Sequence, residues 1–150
     1  MQIEEQLNAG NFRNPYVKVG INIQYTASWV STFVTNILKE YKITIQQYNV
    51  LRILEVYHPE SLSIKNISDS MVDLSSNVSR LVDKLVDKKL VEKHPETLDK
   101  RKVQVSITPE GLEVAREATE LLIEKFTEKV QTLTPEEANL MSDLLDKLRG

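Results

Sequence analysis

Short polar and basic side chains share one face of a helix predicted over residues 75–89. Ser75, Ser76, Asn77, Ser79 and Arg80 stand at its beginning, and Lys84 follows Arg80 by about one turn. Hydroxyl, carboxamide and guanidinium groups at a helix N-terminus can hydrogen-bond the exposed edges of nucleobases, with Asn77 suited to adenine and Arg80 to guanine or to a phosphate. The Lys84 ammonium group is suited to a phosphate.

The opposite face of this helix is apolar. Its members recur at the spacing of a buried helical stripe, and they are Val78, Leu81, Val82, Leu85 and Val86. A basic turn with Lys100, Arg101 and Lys102 follows, and then a strand in which Val103, Val105 and Ile107 alternate with polar residues. A helix with a polar outer face before a basic-tipped hairpin predicts a winged helix-turn-helix.

The flanking elements are predicted from their start and stop signals. Pro15 suits the first turn of a helix over residues 15–42, and Thr44 with Gln47 forms a capping box for a helix over residues 45–57. Ser63 is expected to cap a helix over residues 64–71, and either Asp73 or Ser75 to cap the polar-faced helix. A short strand is expected near residue 62. Ser63 and Lys65, which open the earlier helix, are further candidates for holding a phosphate backbone.

Thr-Pro pairs at 108–109 and 134–135 begin the last two helices. The predicted fold class is mainly α with a small β-hairpin wing (α+β). Residues 1–14 form a flexible lead-in, 44–111 the winged helix-turn-helix, and 15–42 with 112–150 a helical dimerisation region. The terminal helices carry apolar stripes that a second copy would bury. The alternative is that they fold back on their own domain.

Two motifs resemble those of the MarR family of bacterial transcription regulators. Asp99-Lys100-Arg101 followed by Ile107-Thr108-Pro109-Glu110-Gly111 resembles the family signature D-x-R…(L/I)-T-x-x-G, and SSNVSRLVDKLVDKKLVEK resembles its recognition helix and wing. The resemblance implies a homodimer that binds double-stranded DNA, with Arg101 in the minor groove and Asp99 orienting it. The family usually has glycine where this chain has Lys89. Lys89 therefore takes the left-handed conformation, or the helix ends in another way.

The charge distribution agrees with a polyanionic partner despite a net charge of −3. Residues 80–102 carry eight basic and five acidic side chains, whereas residues 103–150 carry five basic and ten acidic ones. Positive charge is therefore concentrated where phosphates would lie. The rival interpretation is a winged-helix module that binds a protein and not DNA, which the neighbouring Asp83 and Asp87 favour.

Other function classes lack their motifs. The chain has no cysteine, which excludes disulfides and thiolate metal sites, and no phosphate-binding loop or nucleophile motif, so we expect neither an enzyme nor a metal or cofactor. No secretory signal is visible, and the uncharged run at residues 19–38 contains too many polar groups to cross a bilayer, so a cytoplasmic location is expected.

An aromatic stripe is the last candidate site. Tyr25, Trp29 and Phe33 recur at i, i+4 and i+8 on the first long helix, and Tyr48 lies on the next. Such a stripe packs in a core or dimer interface, or one edge of it lines an effector crevice. The resemblance to the MarR family implies that such an effector would be a small aromatic or anionic compound.

Overall fold

The computed structural model describes residues 2–7, 10, 12–73, 75–95 and 103–150. Their helices are α1 (Ile3–Leu7), α2 (Pro15–Leu38), α3 (Ile45–Tyr57), α4 (Ile64–Asp69), α5 (Val78–Asp87), α6 (Pro109–Val130) and α7 (Pro135–Arg149). The strands are β1 (Leu62–Ser63), β2 (Val91–Pro95) and β3 (Val103–Ile107). This mainly helical fold with a small sheet confirms the predicted fold class.

The sheet is antiparallel, in the order β1-β3-β2. Val91 pairs with Ile107 and Pro95 with Val103 across the hairpin, and Leu62 pairs with Val105 on the other side of β3. The short strand expected near residue 62 is therefore present. It ties the beginning of α4 to the base of the wing.

The core lies where α3, α4 and α5 meet the sheet. Its fully buried side chains include Leu51, Leu54, Ile67, Val82 and Leu85, together with Val105 from β3. The apolar stripe of α5 is buried as predicted at Val78, Val82 and Leu85, but Val86 is 36% exposed. Val86 lies at the edge of the stripe, facing a surface groove beside β2.

Most helix starts follow the predicted caps. The Thr44–Gln47 capping box is complete, and the Ser63, Thr108 and Thr134 side chains each accept a bond from a backbone amide three residues later. These caps satisfy amides that have no partner within the helix. The boundaries 15, 45, 64, 109 and 135 are confirmed.

Four local predictions differ from the structure, the first being the end of α2, which lies at Leu38 and not at residue 42. The α5 helix begins at Val78 and its cap is Asn77, so the choice between Asp73 and Ser75 was wrong. The α4 helix ends at Asp69, two residues earlier than expected. Within the predicted lead-in, Ile3–Leu7 forms a short helix, where Glu4 pairs with Lys18 of α2 at 2.7 Å.

None of the helices in the described residues is both long enough and apolar enough to cross a membrane.

Candidate nucleic-acid interface

The segment before α5 is held by local hydrogen bonds. Asp73 Oδ1 accepts from the Ser75 amide at 3.0 Å and from the Ser75 hydroxyl at 2.6 Å, and the Asp73 carbonyl accepts from the Ser76 amide at 3.1 Å. The Ser75 hydroxyl, followed by the Ser75 amide, lowers the pKa of Asp73 below its ordinary value of 3.8. This turn fixes the position of the first residues of α5.

Asn77 then starts the helix. Its Oδ1 accepts from the Arg80 amide at 3.1 Å, which is the bond of an N-cap residue. A bidentate contact between Asn77 and adenine would also need Oδ1, so the two roles compete. Asp73, which the sequence predicted as a possible cap of α5, instead accepts hydrogen bonds from Ser75 in the turn that precedes the helix.

The predicted base-reading residues converge on one surface. Ser75, Asn77, Ser79, Arg80 and Lys84 are exposed, and Ser76 is half-buried. A shallow groove of about 240 Å³ runs along this surface. It is lined by Gln46, Asp73, Ser75, Ser76, Asn77, Arg80, Leu81 and Lys84. Gln46, on the first turn of α3, was not predicted because nothing in its sequence neighbourhood marks it as facing α5.

The basic side chains of α5 differ in what they contact. Within the described residues, neither Arg80 nor Lys84 forms an ion pair. Lys93 of β2 pairs with Asp83, which neutralises one of the two carboxylates that favoured a protein partner. Lys88, which shares their face in sequence, donates to the Lys42 carbonyl and to Gln47 Oε1. Arg80 and Lys84 are thus the α5 cations available to a phosphate backbone.

The remaining predicted contacts lie on either side of α5. Ser63 caps α4, where its hydroxyl oxygen accepts from the Asn66 amide at 3.1 Å. Lys65 is exposed in the first turn of the same helix. The predicted contacts at the tip of the wing lie outside the described residues, namely Asp99, Lys100, Arg101 and Lys102.

The aromatic stripe divides between two places. Tyr25, Trp29 and Phe33 line a groove of about 330 Å³ with Ser28, Thr32, Asn36 and Lys129. Trp29 stacks on Phe33 with ring centroids 6.4 Å apart, and the ring centroid of Phe126 in α6 lies 5.9 Å from that of Phe33. Tyr48 is not among the lining residues. Its hydroxyl lies 2.9 Å from Thr119 Oγ1, which ties α3 to α6.

In the part of the chain that the structure describes, no three histidine, aspartate or glutamate side chains are grouped so that they could hold a metal ion.

Comparison with known proteins identifies the family to which this sequence and fold are similar. The family model for the transcriptional regulator SarA/Rot matches residues 32–118. The HTH-type transcriptional regulator SarZ of Staphylococcus aureus (strain USA300) is 32% identical over 116 residues, which cover 77% of this chain and 74% of that protein.

Two solved structures share the fold. A mutant MarR from E. coli in complex with operator DNA superposes with a TM-score of 0.79 at 25% identity, covering 93% of this chain and 99% of that one. The MepR–DNA complex of S. aureus gives a TM-score of 0.76 at 22% identity over 92% of this chain and 97% of that chain. The fold, the extent of the family match and the exposed polar end of α5 agree, and the chain belongs to the SarA/Rot family of bacterial transcriptional regulators with the DNA-binding winged helix of MarR-type proteins.

Proposed function

We propose that this chain is not an enzyme and acts in the bacterial cytoplasm as a homodimeric repressor on a pseudo-palindromic operator, with α5 in the major groove. The observation that carries the proposal is the exposed surface of α5, where Arg80 and Lys84 have no carboxylate partner among the described residues. In a two-fold dimer, two such helices would reach half-sites about one helical turn of DNA apart.

The roles of the side chains follow from their positions. Arg80, in the first turn of α5, reaches base edges or the adjacent phosphate, and Lys84 contacts phosphate. Ser79 lies beside Arg80 and permits close approach of the helix to the bases. Ser63 and Lys65 at the beginning of α4 hold the backbone next to it. At the tip of the wing, Arg101 is assigned to the minor groove by the motif alone.

The experiment begins with recovery of genomic fragments by purified protein at physiological salt, in parallel with Arg80→Ala. We expect one or a few inverted-repeat fragments with the wild type and a loss of about 1–3 kcal/mol in operator binding for Arg80→Ala or Arg101→Ala. Lys84→Met should weaken binding to all sequences and reduce the salt slope by about 1.

Lys125→Met is the matched control, because Lys125 lies on α6 and pairs with Glu124 and Glu128. It should leave operator affinity unchanged. Recovery of no specific fragment, or wild-type affinity in Arg80→Ala, would contradict the proposed contact. Salt-insensitive capture of a protein would instead support the winged-helix interaction module.

A second part of the proposal concerns release from DNA. The groove beside Trp29 combines aromatic walls with the Lys129 ammonium group, which suits an aromatic carboxylate. A ligand there would act by favouring a dimer geometry in which the two α5 helices no longer match the half-site spacing.

Trp29 is the only tryptophan, so its emission reports occupancy of this groove. Phenolic acids should change that emission, raise the melting temperature and reduce operator affinity, and Lys129→Met should weaken the effect of the anions. Neutral phenols provide the comparison ligands. Unchanged emission and melting temperature across the phenolic acids would exclude this ligand class.

A further inference from the structure

The C-terminal end of α5 is joined to a distant corner of the chain by one side chain. Lys88 Nζ donates to the backbone carbonyl of Lys42 and, at 3.1 Å, to Gln47 Oε1. Lys42 ends the turn that follows α2, and Gln47 lies in the first turn of α3. A single ammonium group therefore joins the α2–α3 corner to Lys88, the residue that caps the C-terminal end of α5.

Both sides of this bridge are tightly turned backbone. Lys42 has φ 55° and Lys89 has φ 61°. In each turn the amide of the next residue donates a hydrogen bond back to the end of the preceding helix. The Ile43 amide donates to the Leu38 carbonyl at 3.4 Å, and the Leu90 amide donates to the Leu85 carbonyl at 3.0 Å. The two corners have the same local form, and Lys88 connects them.

One partner of Lys88 in this bridge, Gln47, is buried. It is a buried polar side chain, 3% exposed, and its Oε1 accepts from the Thr44 amide at 3.1 Å as well as from Lys88. A buried carboxamide oxygen is costly to leave without donors. Gln47 thus serves the cap of α3 and the end of α5 with the same atom.

The same end of α5 is also joined to α6. The Thr108 hydroxyl donates to the Lys89 carbonyl at 2.8 Å, and the Thr108 amide donates to the Leu90 carbonyl at 3.1 Å. Thr108 is the N-cap of α6. Lys89 and Leu90 are therefore fixed to the beginning of α6, whereas Lys88 contacts the turn that follows α2.

We propose that Lys88 is a positioning residue that holds the C-terminal end of α5 at a fixed orientation to the α2–α3 corner. Arg80 and Lys84 meet DNA, whereas Lys88 acts by limiting the orientations from which they do so. Because only the competent fraction of orientations binds, loosening the bridge lowers the apparent affinity. This inference rests on the proposed function.

The test compares Lys88→Met with Lys84→Met, two lysines of one helix spaced by four residues. Lys88→Met keeps an unbranched apolar stem and removes the ammonium group, with both its charge and its donors. Lys88 is at the surface, so the fold should be retained. We expect operator affinity to fall about fivefold to tenfold with an unchanged slope of log affinity against log salt, whereas Lys84→Met should reduce that slope by about 1.

Hydrogen exchange of the free protein tests the bridge without DNA. In Lys88→Met the amides of Ile43 and Leu90 should both exchange faster, while that of Tyr48, bonded to the Thr44 carbonyl at 2.9 Å, should not change. Unchanged exchange at Ile43 and Leu90 would overturn the bridge whether or not the chain binds the operator. Failure of the wild type to bind any duplex would overturn only the proposed function.

The Gln47→Glu substitution should strengthen the bridge, so it is expected to change amide exchange in the direction opposite to Lys88→Met. Glutamate keeps the capping box and would form a charge-assisted bond with Lys88, so exchange at Ile43 and Leu90 should slow. In the Lys88→Met background the buried carboxylate has lost its cation, and exchange should accelerate. A reduced salt slope in Lys88→Met, equal to that of Lys84→Met, would assign Lys88 to a phosphate and overturn its positioning role.

Discussion

Lys89 stands at a position where the backbone favours glycine. Its φ of 61° is left-handed, its amide donates to the Val86 carbonyl at 2.8 Å, and the Leu90 amide donates to the Leu85 carbonyl. This is the Schellman arrangement that ends many helices, with Leu85 and Leu90 both buried beneath it. Of the two alternatives that the sequence left open, the left-handed one is therefore confirmed.

We predict that Lys89→Gly stabilises the protein by about 1 kcal/mol, since glycine removes the contact between Cβ and backbone that a left-handed residue suffers. Urea unfolding measures the change. Lys84→Gly, in the interior of the same helix, is the control and should destabilise by about 1 kcal/mol. Equal effects of both substitutions would mean that residue 89 is not strained.

Gly111 is required for a different reason, which is space. A Cβ atom at residue 111 would lie 2.0 Å from the Leu90 carbonyl oxygen and 3.0 Å from Ile107 Cγ1. The glycine of the T-x-x-G signature thus lets the first turn of α6 pack directly on the backbone that follows α5.

We predict that Gly111→Ala destabilises by about 3 kcal/mol or more, because the obstructing atom is backbone and cannot rotate away. Gly20 of α2 is the matched control, since a Cβ there would meet nothing within 4 Å. Gly20→Ala should stabilise by about 0.5–1 kcal/mol. Thermal unfolding of the two variants gives the comparison, and a neutral Gly111→Ala would contradict the close packing.

At the scale of the elements, the sequence predicted the helices and strands well because their signals are local. Thr44 with Gln47 and Thr108 with Pro109 each mark a start within four residues, and these starts are confirmed. The cap of α5 was predicted wrongly because aspartate, serine and asparagine all precede the helix and all can cap. Which one caps depends on the turn from α4, which is a tertiary property.

In the candidate DNA-binding site, too, the features with a local sequence signal could be predicted and those that depend on tertiary packing could not. The exposed face of α5 followed from helical spacing, whereas the partners of Lys88 lie more than 40 residues away in sequence and left no local signal. Lys84 and Lys88 look equivalent on a helical wheel. Only the packing of the α2–α3 corner against the end of α5 separates them.

The turn before α5 should be acid-sensitive. The pKa of Asp73 is lowered by the Ser75 hydroxyl and amide, so its contribution to stability is complete above the ordinary value of 3.8 and is lost as pH falls through the lower folded value. We predict that Asp73→Asn is less stable than wild type at neutral pH and that the difference shrinks below pH 3.8. Urea unfolding across this range measures it, and a difference independent of pH would exclude a role for the carboxylate.

At the scale of the whole molecule, α7 is the helix whose apolar face is left most exposed to solvent. It buries no residue, and Leu140, Leu144 and Leu148 are each more than half exposed along one face. A helix of 15 residues is marginal in water without a packed face. On α2, Tyr16 is 84% exposed and Val17 is 52% exposed, and Ile123 of α6 is 62% exposed. Burial of these faces against a second copy would stabilise both ends of the chain.

We therefore predict that the wild type sediments as a dimer and that Leu144→Glu with Leu148→Glu shifts it towards the monomer, because four carboxylates would enter one apolar interface. Asn139→Glu, on the opposite face of α7, should leave the dimer intact. Operator affinity should fall with the dimer, since one α5 helix would then bind a half-site without its partner. A wild type that sediments as a monomer would contradict the dimer, and the terminal helices would then have to fold back on their own domain.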